Sequence, residues 1–200
     1  MDVVLASGNP GKLGELAPLL AELDLNLRPQ AEFALPPVVE SGTTFVENAI
    51  IKARHAARHA GLPAIADDSG IAVDALGGAP GVYSARYAGA GASDADNLQR
   101  LLAATATVAD DARACHFICV LAFMQSADDP LPLLATGIWH GSLLRAPRGD
   151  HGFGYDPIFF VPEYGCAAAE LPRAVKHSIS HRAQALRALR AALGLTTGRP

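Results

Sequence analysis

The chain is organised around residues 63–70, which read Pro63-Ala-Ile-Ala-Asp67-Asp68-Ser69-Gly70. The apolar residues before Asp67 predict the end of a short buried strand, and the Ser-Gly pair after Asp68 predicts a turn. Two adjacent carboxylates repel each other, and a divalent cation relieves that repulsion, so we interpret the pair first as a Mg²⁺ site. Taken alone, the stretch is more typical of a plain turn, and the rest of the chain must distinguish the two.

Length and composition restrict the class of protein. The 200 residues, half of them apolar and 18% charged, suit a single domain spanning 1–200. The net charge of −4 argues against a general nucleic-acid surface, so we expect no nucleic-acid partner. We expect neither a signal peptide nor a membrane partner, because the chain begins with a strand pattern and lacks a long apolar run. The cysteines, Cys115, Cys119 and Cys166, suit reduced thiols in a cytoplasmic protein.

The first residues predict a strand, a glycine-rich turn and a helix. Residues 2–6 are apolar enough for a buried strand, and leucines from Leu13 to Leu23 recur at helical spacing. Such a turn aims backbone N–H groups and a positive helix end at an anion, which favours phosphate. A plain connector is an equal alternative, and Leu13 after Lys12 excludes a Walker P-loop. The residues of the turn are Ser7, Gly8, Asn9, Pro10, Gly11 and Lys12.

A short strand near Val38-Val39 and a long helix from Thr43 to Ala60 are predicted next. Glu40 follows the strand and is a candidate metal ligand. Glu47 completes a capping box at the start of the helix. Lys52 lies within the helix and is either a phosphate ligand or an ordinary solvated lysine.

The C-terminal half predicts a strand pair, an aromatic turn and a basic helix. Residues 113–125 and 131–144 read as strands joined by a short linker, which indicates an antiparallel pair. Phe153 lies between two glycines, and its ring either stacks on a flat ligand or fills the core. Residues 174–193 predict one basic helix. Together with the parallel strand–helix units at the front, this pattern predicts an α/β fold whose mixed central sheet is flanked by helices.

These separate signals describe one kind of site, a nucleoside triphosphate site with metal-assisted hydrolysis. Lysines neutralise phosphates, carboxylates hold Mg²⁺, an aromatic ring stacks on a base, and mixed donors and acceptors read its edge. The residues are Lys12 and Lys52 for phosphate, Glu40, Asp67 and Asp68 for metal, Phe153 for stacking, and Asp156, Lys176, His181 and Arg182 for the base edge.

Several motifs, in a fixed order along the chain, resemble one family. They read Ser7-Gly8-Asn9-x-x-Lys12, Phe45-x-Glu47-Asn48-Ala49-x-x-Lys52-Ala53, Ala66-Asp67-Asp68-Ser69-Gly70, Gly77-Gly78-x-Pro80-Gly81-x-Tyr83-Ser84-Ala85-Arg86, Gly152-Phe153-Gly154-Tyr155-Asp156-Pro157 and Ser180-His181-Arg182. Nearly end to end, the chain resembles the inosine/xanthosine triphosphate pyrophosphatases, which remove deaminated purine nucleotides. The resemblance implies one ITPase-like domain with an elongated sheet, two lobes with the nucleotide cleft between them, and a homodimer.

The resemblance also implies a role for each matching residue. Glu40 and Asp68 would hold Mg²⁺, with Asp67 and Glu47 nearby. Asp68 would also activate the water that attacks the α-phosphorus, which gives a nucleoside monophosphate and pyrophosphate. The triphosphate would be bound by residues 7–12 together with Lys52. The residues that touch the substrate or its base would be Ser69, Phe153, Gly154, Tyr155, Asp156, Lys176, His181 and Arg182.

One departure and two alternatives stay open. Ala174-Val175 stand where members of that family often carry acidic residues, which leaves the charge around Lys176 in doubt. A pyrophosphatase of similar fold for modified pyrimidine or methylated nucleotides is the nearest alternative, but its base-reading residues should differ. A nucleotide-binding regulator without catalysis is the other, although binding alone does not require so acidic a site.

Overall fold

The computed structural model describes residues 1–20 and 25–194. Its strands are β1 (Asp2–Ala6), β2 (Asn26–Pro29), β3 (Ala64–Val73), β4 (Ala114–Met124), β5 (Leu133–Leu143), β6 (Phe159–Val161) and β7 (Cys166–Ala167). Its α-helices are α1 (Pro10–Leu20), α2 (Phe45–Ala60), α3 (Asp94–Ala104), α4 (Arg173–Ile179) and α5 (His181–Ala192). Within the described ranges, no helix has the length and apolar character that crossing a membrane requires.

The strands form a seven-stranded sheet in the order β2-β1-β3-β4-β5-β6-β7. β1 pairs in parallel with both β2 and β3, whereas β6 pairs antiparallel with β5 and β7. β4 and β5 are neighbours joined by residues 125–132, a connection shorter than a parallel crossover needs. The predicted α/β fold with a mixed sheet flanked by helices is therefore confirmed.

The chain divides into two compact units, each with its own apolar core. The first unit contains residues 1–68, residues 119–137 and the chain from His181 onward, and the second contains residues 69–118 and 138–180. The core of the first unit gathers side chains from β1, α1, β3 and α5 around Phe123 of β4. The core of the second gathers Phe117, Trp139 and Phe159 in tilted and stacked ring contacts. The single domain and the cleft that the resemblance implies stay predictions.

The predicted turn at Ser69-Gly70 is wrong, because β3 runs without interruption from Ala64 to Val73. Gly70 is not among the glycines with positive φ in the described residues. A Cβ at this position would lie 2.6 Å from the carbonyl oxygen of Gly81 and still closer to the Ser84 hydroxyl. Ser84 in turn accepts a hydrogen bond of 2.9 Å from the Ile71 amide. Glycine is required here for close approach of another segment, not for a turn.

Two boundaries near the N-terminus also differ from the prediction. Helix α1 begins at Pro10 instead of Leu13, because the Asn9 side chain caps it and proline suits the first helical position. Leu23, assigned to the same helix, lies outside the described residues. The strand near Val38-Val39 is absent from the described fold, where residues 35–42 have no regular structure and Val39 is 80% exposed. The neighbouring prolines at 36 and 37 lack the N–H that a strand would donate.

The single basic helix predicted for residues 174–193 is two helices. Ser180 has an extended backbone (φ −62°, ψ 163°), which ends α4 at Ile179 and lets α5 begin at His181. Helix α2, by contrast, is as predicted: Thr44 caps it and Glu47 completes the capping box. The strands predicted at 113–125 and 131–144 are confirmed as β4 and β5 with slightly shorter bounds.

Candidate functional site

The turn after β1 and the Asp67-Asp68 pair both follow directly after the last paired residues of β1 and β3. The pairing of β1 with β3 ends at Ala6 opposite Ala66. Asn9 accepts a hydrogen bond of 3.1 Å from the Lys12 amide, which fixes the first turn of α1. Lys12 thereby extends from that turn, and its Nζ lies 2.9 Å from Oδ1 of Asp67. The turn predicted to bind phosphate and the predicted acidic pair are therefore in direct contact.

Asp67 is a buried carboxylate with more than one cation beside it. Arg182 Nε lies 3.8 Å from Asp67 Oδ2. The buried thiol of Cys119 donates a hydrogen bond of 3.8 Å to the same oxygen. Burial alone would raise the pKa of Asp67, but Lys12 and Arg182 outweigh it and hold the pKa well below its ordinary value. Asp67 is therefore ionised at neutral pH and acts as the counter-ion of two basic side chains.

Arg182 and Glu15 form a second buried ion pair next to Asp67. Arg182 donates from Nη1 to Glu15 Oε2 at 2.7 Å, and both side chains are less than a tenth exposed. Burial lowers the pKa of Arg182, yet Asp67 and Glu15 more than compensate and raise it. Sequence reasoning missed Glu15, although it lies on α1 three residues after Lys12, a spacing at which helical side chains are neighbours. The predicted base-edge role of Arg182, and of the buried His181 before it, stays a prediction.

Asp68 has different surroundings from its neighbour. Its Oδ1 accepts a hydrogen bond of 2.7 Å from Lys52 Nζ, and the same ammonium lies 3.0 Å from Glu40 Oε1. Burial raises the pKa of Asp68 above its ordinary value, because the attraction of Lys52 only partly offsets the loss of solvent. The pKa of Lys52 is raised as well: burial lowers it, but Asp68, Asp67 and Glu40 all favour its charge.

Strand geometry explains why adjacent carboxylates have separate partners. Successive side chains of a β-strand point to opposite faces, and Asp67 and Asp68 both lie inside β3. Asp67 therefore meets Lys12 of α1 and Arg182 of α5, whereas Asp68 meets Lys52 of α2. The direct contacts of the two residues are therefore with different cations, although Lys12 and Lys52 also act on the charge of both at longer range.

The donor set around Lys52 fits a divalent metal ion. Glu40 and Asp68 already converge on one positive charge, and the buried Oδ2 of Asp68 has no hydrogen-bond partner among the described residues. No group of three or more His, Cys, Asp and Glu side chains suited to a metal occurs in residues 1–20 and 25–194. Mg²⁺ is commonly held by one or two carboxylates, with water and substrate phosphates as its other ligands, so two carboxylates suffice.

Glu47 and Asn48 anchor the segment that carries Glu40. The Glu47 carboxylate accepts hydrogen bonds from the backbone and hydroxyl groups of Thr43 and Thr44, which lower its pKa. The side chain of the fully buried Asn48 accepts a hydrogen bond of 2.9 Å from the Gly42 amide. A Cβ at position 42 would collide with the Asn48 side chain. Glu47 is therefore a capping residue in this structure, and its predicted place beside a metal stays a prediction.

A second group of predicted residues lies in the second unit. The Asp156 carboxylate accepts from the Phe153 amide at 2.9 Å and forms a short ion pair with Lys176. Lys176 Nζ also lies 5.5 Å from the centre of the partly exposed Phe153 ring, within cation–π range. The ring predicted to stack thus lies next to the buried ammonium of Lys176. Asp156 balances the charge of that ammonium, although the preceding Ala174-Val175 carry no acidic side chain.

Tyr155 and Gly154 serve the same segment in different ways. The Tyr155 hydroxyl donates to the Ser84 carbonyl at 2.7 Å, and burial of the phenol raises its pKa. Gly154 has a left-handed φ of +60°, and its amide donates to Asp94 at 2.9 Å. Tyr155 therefore fixes the segment from the core side, and its predicted contact with substrate stays a prediction. Ser69, also predicted to touch substrate, is partly exposed on β3.

The fold and these residues define an α/β protein whose strand ends and helix starts gather paired acidic and basic side chains, a site class suited to phosphorylated ligands. A family model described as the Ham1 family matches residues 3–192. The chain belongs to the Ham1 family, and the resemblance identified from its motifs is confirmed.

Relatives and solved structures agree with this membership. A dITP/XTP pyrophosphatase from Yersinia pseudotuberculosis is 58% identical over 191 residues, which cover 96% of this chain and 97% of that protein. A HAM1 protein from Coxiella burnetii has a TM-score of 0.90 and 51% identity, covering 98% of this chain and 100% of that one. A Ham1 protein from Staphylococcus aureus has a TM-score of 0.86 and 37% identity, covering 97% and 98% respectively.

Proposed function

We propose that this protein hydrolyses triphosphates of deaminated purine nucleosides, namely dITP, ITP and XTP, to the monophosphate and pyrophosphate. In the cell this reaction keeps such nucleotides out of DNA and RNA. The names of its curated relatives support the substrate class and the reaction. The observation that carries the proposal for this chain is the buried Asp68, held by Lys52 and facing the same ammonium as Glu40.

Glu40 and Asp68 would hold Mg²⁺, which when bound neutralises phosphate charge and makes the phosphorus more electrophilic. Lys12 and the backbone of residues 7–11 would bind the triphosphate at the start of α1, with Lys52 assisting from α2. Hydrolysis of a phosphoanhydride depends mainly on positioning and on stabilising negative charge. These side chains supply both, since they are held by one another before substrate arrives.

Asp68 would act as the base that takes a proton from the attacking water. A general base needs a carboxylate oxygen within reach of the water, and the buried Oδ2 of Asp68 has no hydrogen-bond partner among the described residues, whereas Oδ1 accepts from Lys52. Water attacks the α-phosphorus, the bond to the bridging oxygen breaks, and pyrophosphate leaves. Asp67 supports this by keeping Lys12 in place at 2.9 Å.

The base would stack on Phe153 and be read at its edge by Lys176, Asp156, His181 and Arg182, with Ser69, Gly154 and Tyr155 lining the substrate. Hypoxanthine and xanthine carry a 6-keto acceptor, whereas adenine carries a 6-amino donor. A pocket of fixed donors at this edge would face the amino donor of ATP, and such a mismatch in a buried pocket discriminates strongly. The same proposal includes a homodimer, a single domain, a cytoplasmic location and no nucleic-acid or membrane partner.

One assay tests this function. Pyrophosphate release is measured with and without Mg²⁺, comparing dITP, ITP and XTP with ATP, GTP, CTP and UTP. We expect Mg²⁺-dependent release from the deaminated purines and much slower release from the ordinary nucleotides. Release from none of them would support a non-catalytic binding protein. Preference for modified pyrimidine or methylated nucleotides, tested in the same assay, would overturn the assigned substrate class, and equal turnover of ATP and ITP would overturn the specificity.

A further inference from the structure

The Phe153 segment is held by a carboxylate from a distant part of the chain. Asp94 lies in the first turn of α3, and its Oδ2 accepts a hydrogen bond of 2.9 Å from the amide of Gly154, 60 residues away. The preceding amide, that of Phe153, donates to Asp156 at 2.9 Å. Two successive amides on either side of the Phe153 carbonyl are thus bound by two different carboxylates.

Capping of α3 does not require Asp94. Ser93 is the N-cap residue, and Ser93 and Asp96 form a reciprocal capping box with bonds of 3.0 and 3.1 Å between side chain and backbone. The carboxylate of Asp94 instead leaves the helix and reaches Gly154. Gly154 has a left-handed φ of +60°, which glycine adopts without a steric penalty, and its amide bonds a side chain from α3.

The start of α3 also fixes the other segment that touches this region. The Asn97 side chain accepts a hydrogen bond of 2.8 Å from the Ala88 amide and donates one of 3.2 Å to the Ala85 carbonyl. That segment contains Ser84, the acceptor of the Tyr155 hydroxyl. Residues 153–155 are therefore held through Asp156, Asp94 and Ser84, and the Asp94 bond is a charge-assisted one that comes from α3.

We propose that Asp94 is a positioning residue for base recognition, which orients the Phe153 ring through the Gly154 amide. The inference rests on the proposed function, because it takes Phe153 as the ring on which the purine stacks. Loss of the Asp94 carboxylate frees the Gly154 peptide to rotate, and the ring loses its fixed plane. Binding of the base weakens, while the phosphate residues of the first unit are unaffected.

The test compares Asp94→Ala with Asp96→Ala, a matched control that removes a carboxylate from the same exposed helical turn. We expect Asp94→Ala to raise KM for ITP roughly fivefold to tenfold, the loss typical of one charge-assisted hydrogen bond, with kcat within about twofold. Asp96→Ala should leave KM unchanged and lower Tm at least as much, since it breaks the capping box. Asp94→Asn keeps an acceptor oxygen and should recover part of the lost affinity.

Two binding measurements separate positioning from general damage. Calorimetric affinity for IMP, which needs no turnover, should fall in Asp94→Ala. Inhibition by inorganic tripolyphosphate, which has no base, should equal that of the wild type. Asp94→Ala with unchanged KM and IMP affinity, beside a Phe153→Ala variant in which both are weakened, would overturn the inference alone. If Phe153→Ala itself leaves both unchanged, the proposed stacking role fails and the inference with it.

Discussion

Asp67 and Asp68 are neighbours on one strand, yet the pKa of the aspartate carboxyl is shifted in opposite directions on the two faces of β3. On one face, Asp67 is 2% exposed, and Lys12 and Arg182 hold its pKa below the ordinary value. On the other, Asp68 is 6% exposed with Lys52 and Glu40 beside it, and burial raises its pKa. Nearly equal burial thus gives opposite shifts, because the balance of neighbouring charge differs.

This difference assigns the two carboxylates to different tasks. A buried carboxylate that two cations keep ionised is suited to hold those cations in place. A carboxylate whose charge costs free energy is suited to accept a proton or a metal ion, since either relieves that cost. The Asp67 face should therefore contribute stability, and the Asp68 face should contribute reactivity.

Replacing each aspartate by asparagine tests this division, and the largest expected effect is the loss of kcat at position 68. We expect Asp68→Asn to lower kcat by about 10²–10⁴-fold, because an amide cannot take a proton from water. The free energy of unfolding should change by less than about 1 kcal/mol, since the cost of burying the Asp68 charge offsets its attraction to Lys52. Steady-state kinetics and denaturant unfolding measure both. A variant that keeps the wild-type kcat would contradict the assignment of Asp68.

The same exchange at Asp67 should act mainly on stability. Asp67→Asn leaves Lys12 and Arg182 without their shared counter-ion, and breaking a buried pair typically costs about 3–5 kcal/mol. We expect a loss near about 3 kcal/mol, because Arg182 keeps Glu15 and the Lys12 side chain is 16% exposed. Urea unfolding without Mg²⁺ measures the loss, with Asp68→Asn as the control. Equal stability of the two variants would remove the distinction between the faces.

Local patterns in the sequence are sufficient for several of the helices and strands, but they do not reveal these two faces of β3. The capping box of Thr44 and Glu47 and the alternation of β4 are short-range signals, and both elements were predicted. The Ser69-Gly70 pair was interpreted as a turn because Ser-Gly usually is one, and that interpretation hid the alternation of Asp67 and Asp68. The reason for Gly70 is the close approach of Ser84, which only tertiary structure provides.

The candidate site shows the same limit. The residue types of Lys12, Lys52, Glu40 and Asp68 are sufficient to predict a candidate site. In the structure, Lys52 lies 3.0 Å from Glu40 and 2.7 Å from Asp68. Partners that act through position were missed: Glu15 meets Arg182 across 167 residues, and Asp94 meets Gly154 across 60. No periodicity or motif links residues so far apart, so such pairs require the fold.

The pH dependence of stability should have opposite signs at the two positions in metal-free protein. The folded pKa of Asp67 is below the unfolded value of 3.8, so its contribution is complete above about pH 4 and is lost as pH falls through the folded pKa. The folded pKa of Asp68 is above 3.8, so its charge lowers stability near neutral pH, and stability is regained as pH falls through that pKa.

Unfolding free energies of the wild type, Asp67→Asn and Asp68→Asn, followed from pH 7 into acid, measure this contrast. The advantage of wild type over Asp67→Asn should shrink below about pH 4. The free energy of unfolding of the wild type should rise relative to that of Asp68→Asn as the pH falls toward about 4. Parallel curves for the two variants would mean that the faces do not differ in charge balance.

The smallest expected effect concerns Lys52, the cation in direct contact with Asp68. Lys52 lowers the pKa of Asp68 against the larger effect of burial, and it contributes less to Asp67 than Lys12 and Arg182 do. Lys52→Gln should therefore raise the pKa of Asp68 further, and that of Asp67 by less. Carboxyl-carbon NMR titration of the metal-free protein measures both groups in one experiment.

Lys52→Arg is the control, because it keeps a positive charge on the same helix face while changing its shape. With arginine the pKa of Asp68 should stay close to that of the wild type, since Coulomb attraction over a few ångströms depends on charge and distance. If Lys52→Gln and Lys52→Arg shift the pKa of Asp68 equally, the shape of the Lys52 side chain, and not its charge, sets the environment of Asp68. If glutamine shifts Asp67 as much as Asp68, the two faces share Lys52 electrostatically, and the division of cations between them is geometric only.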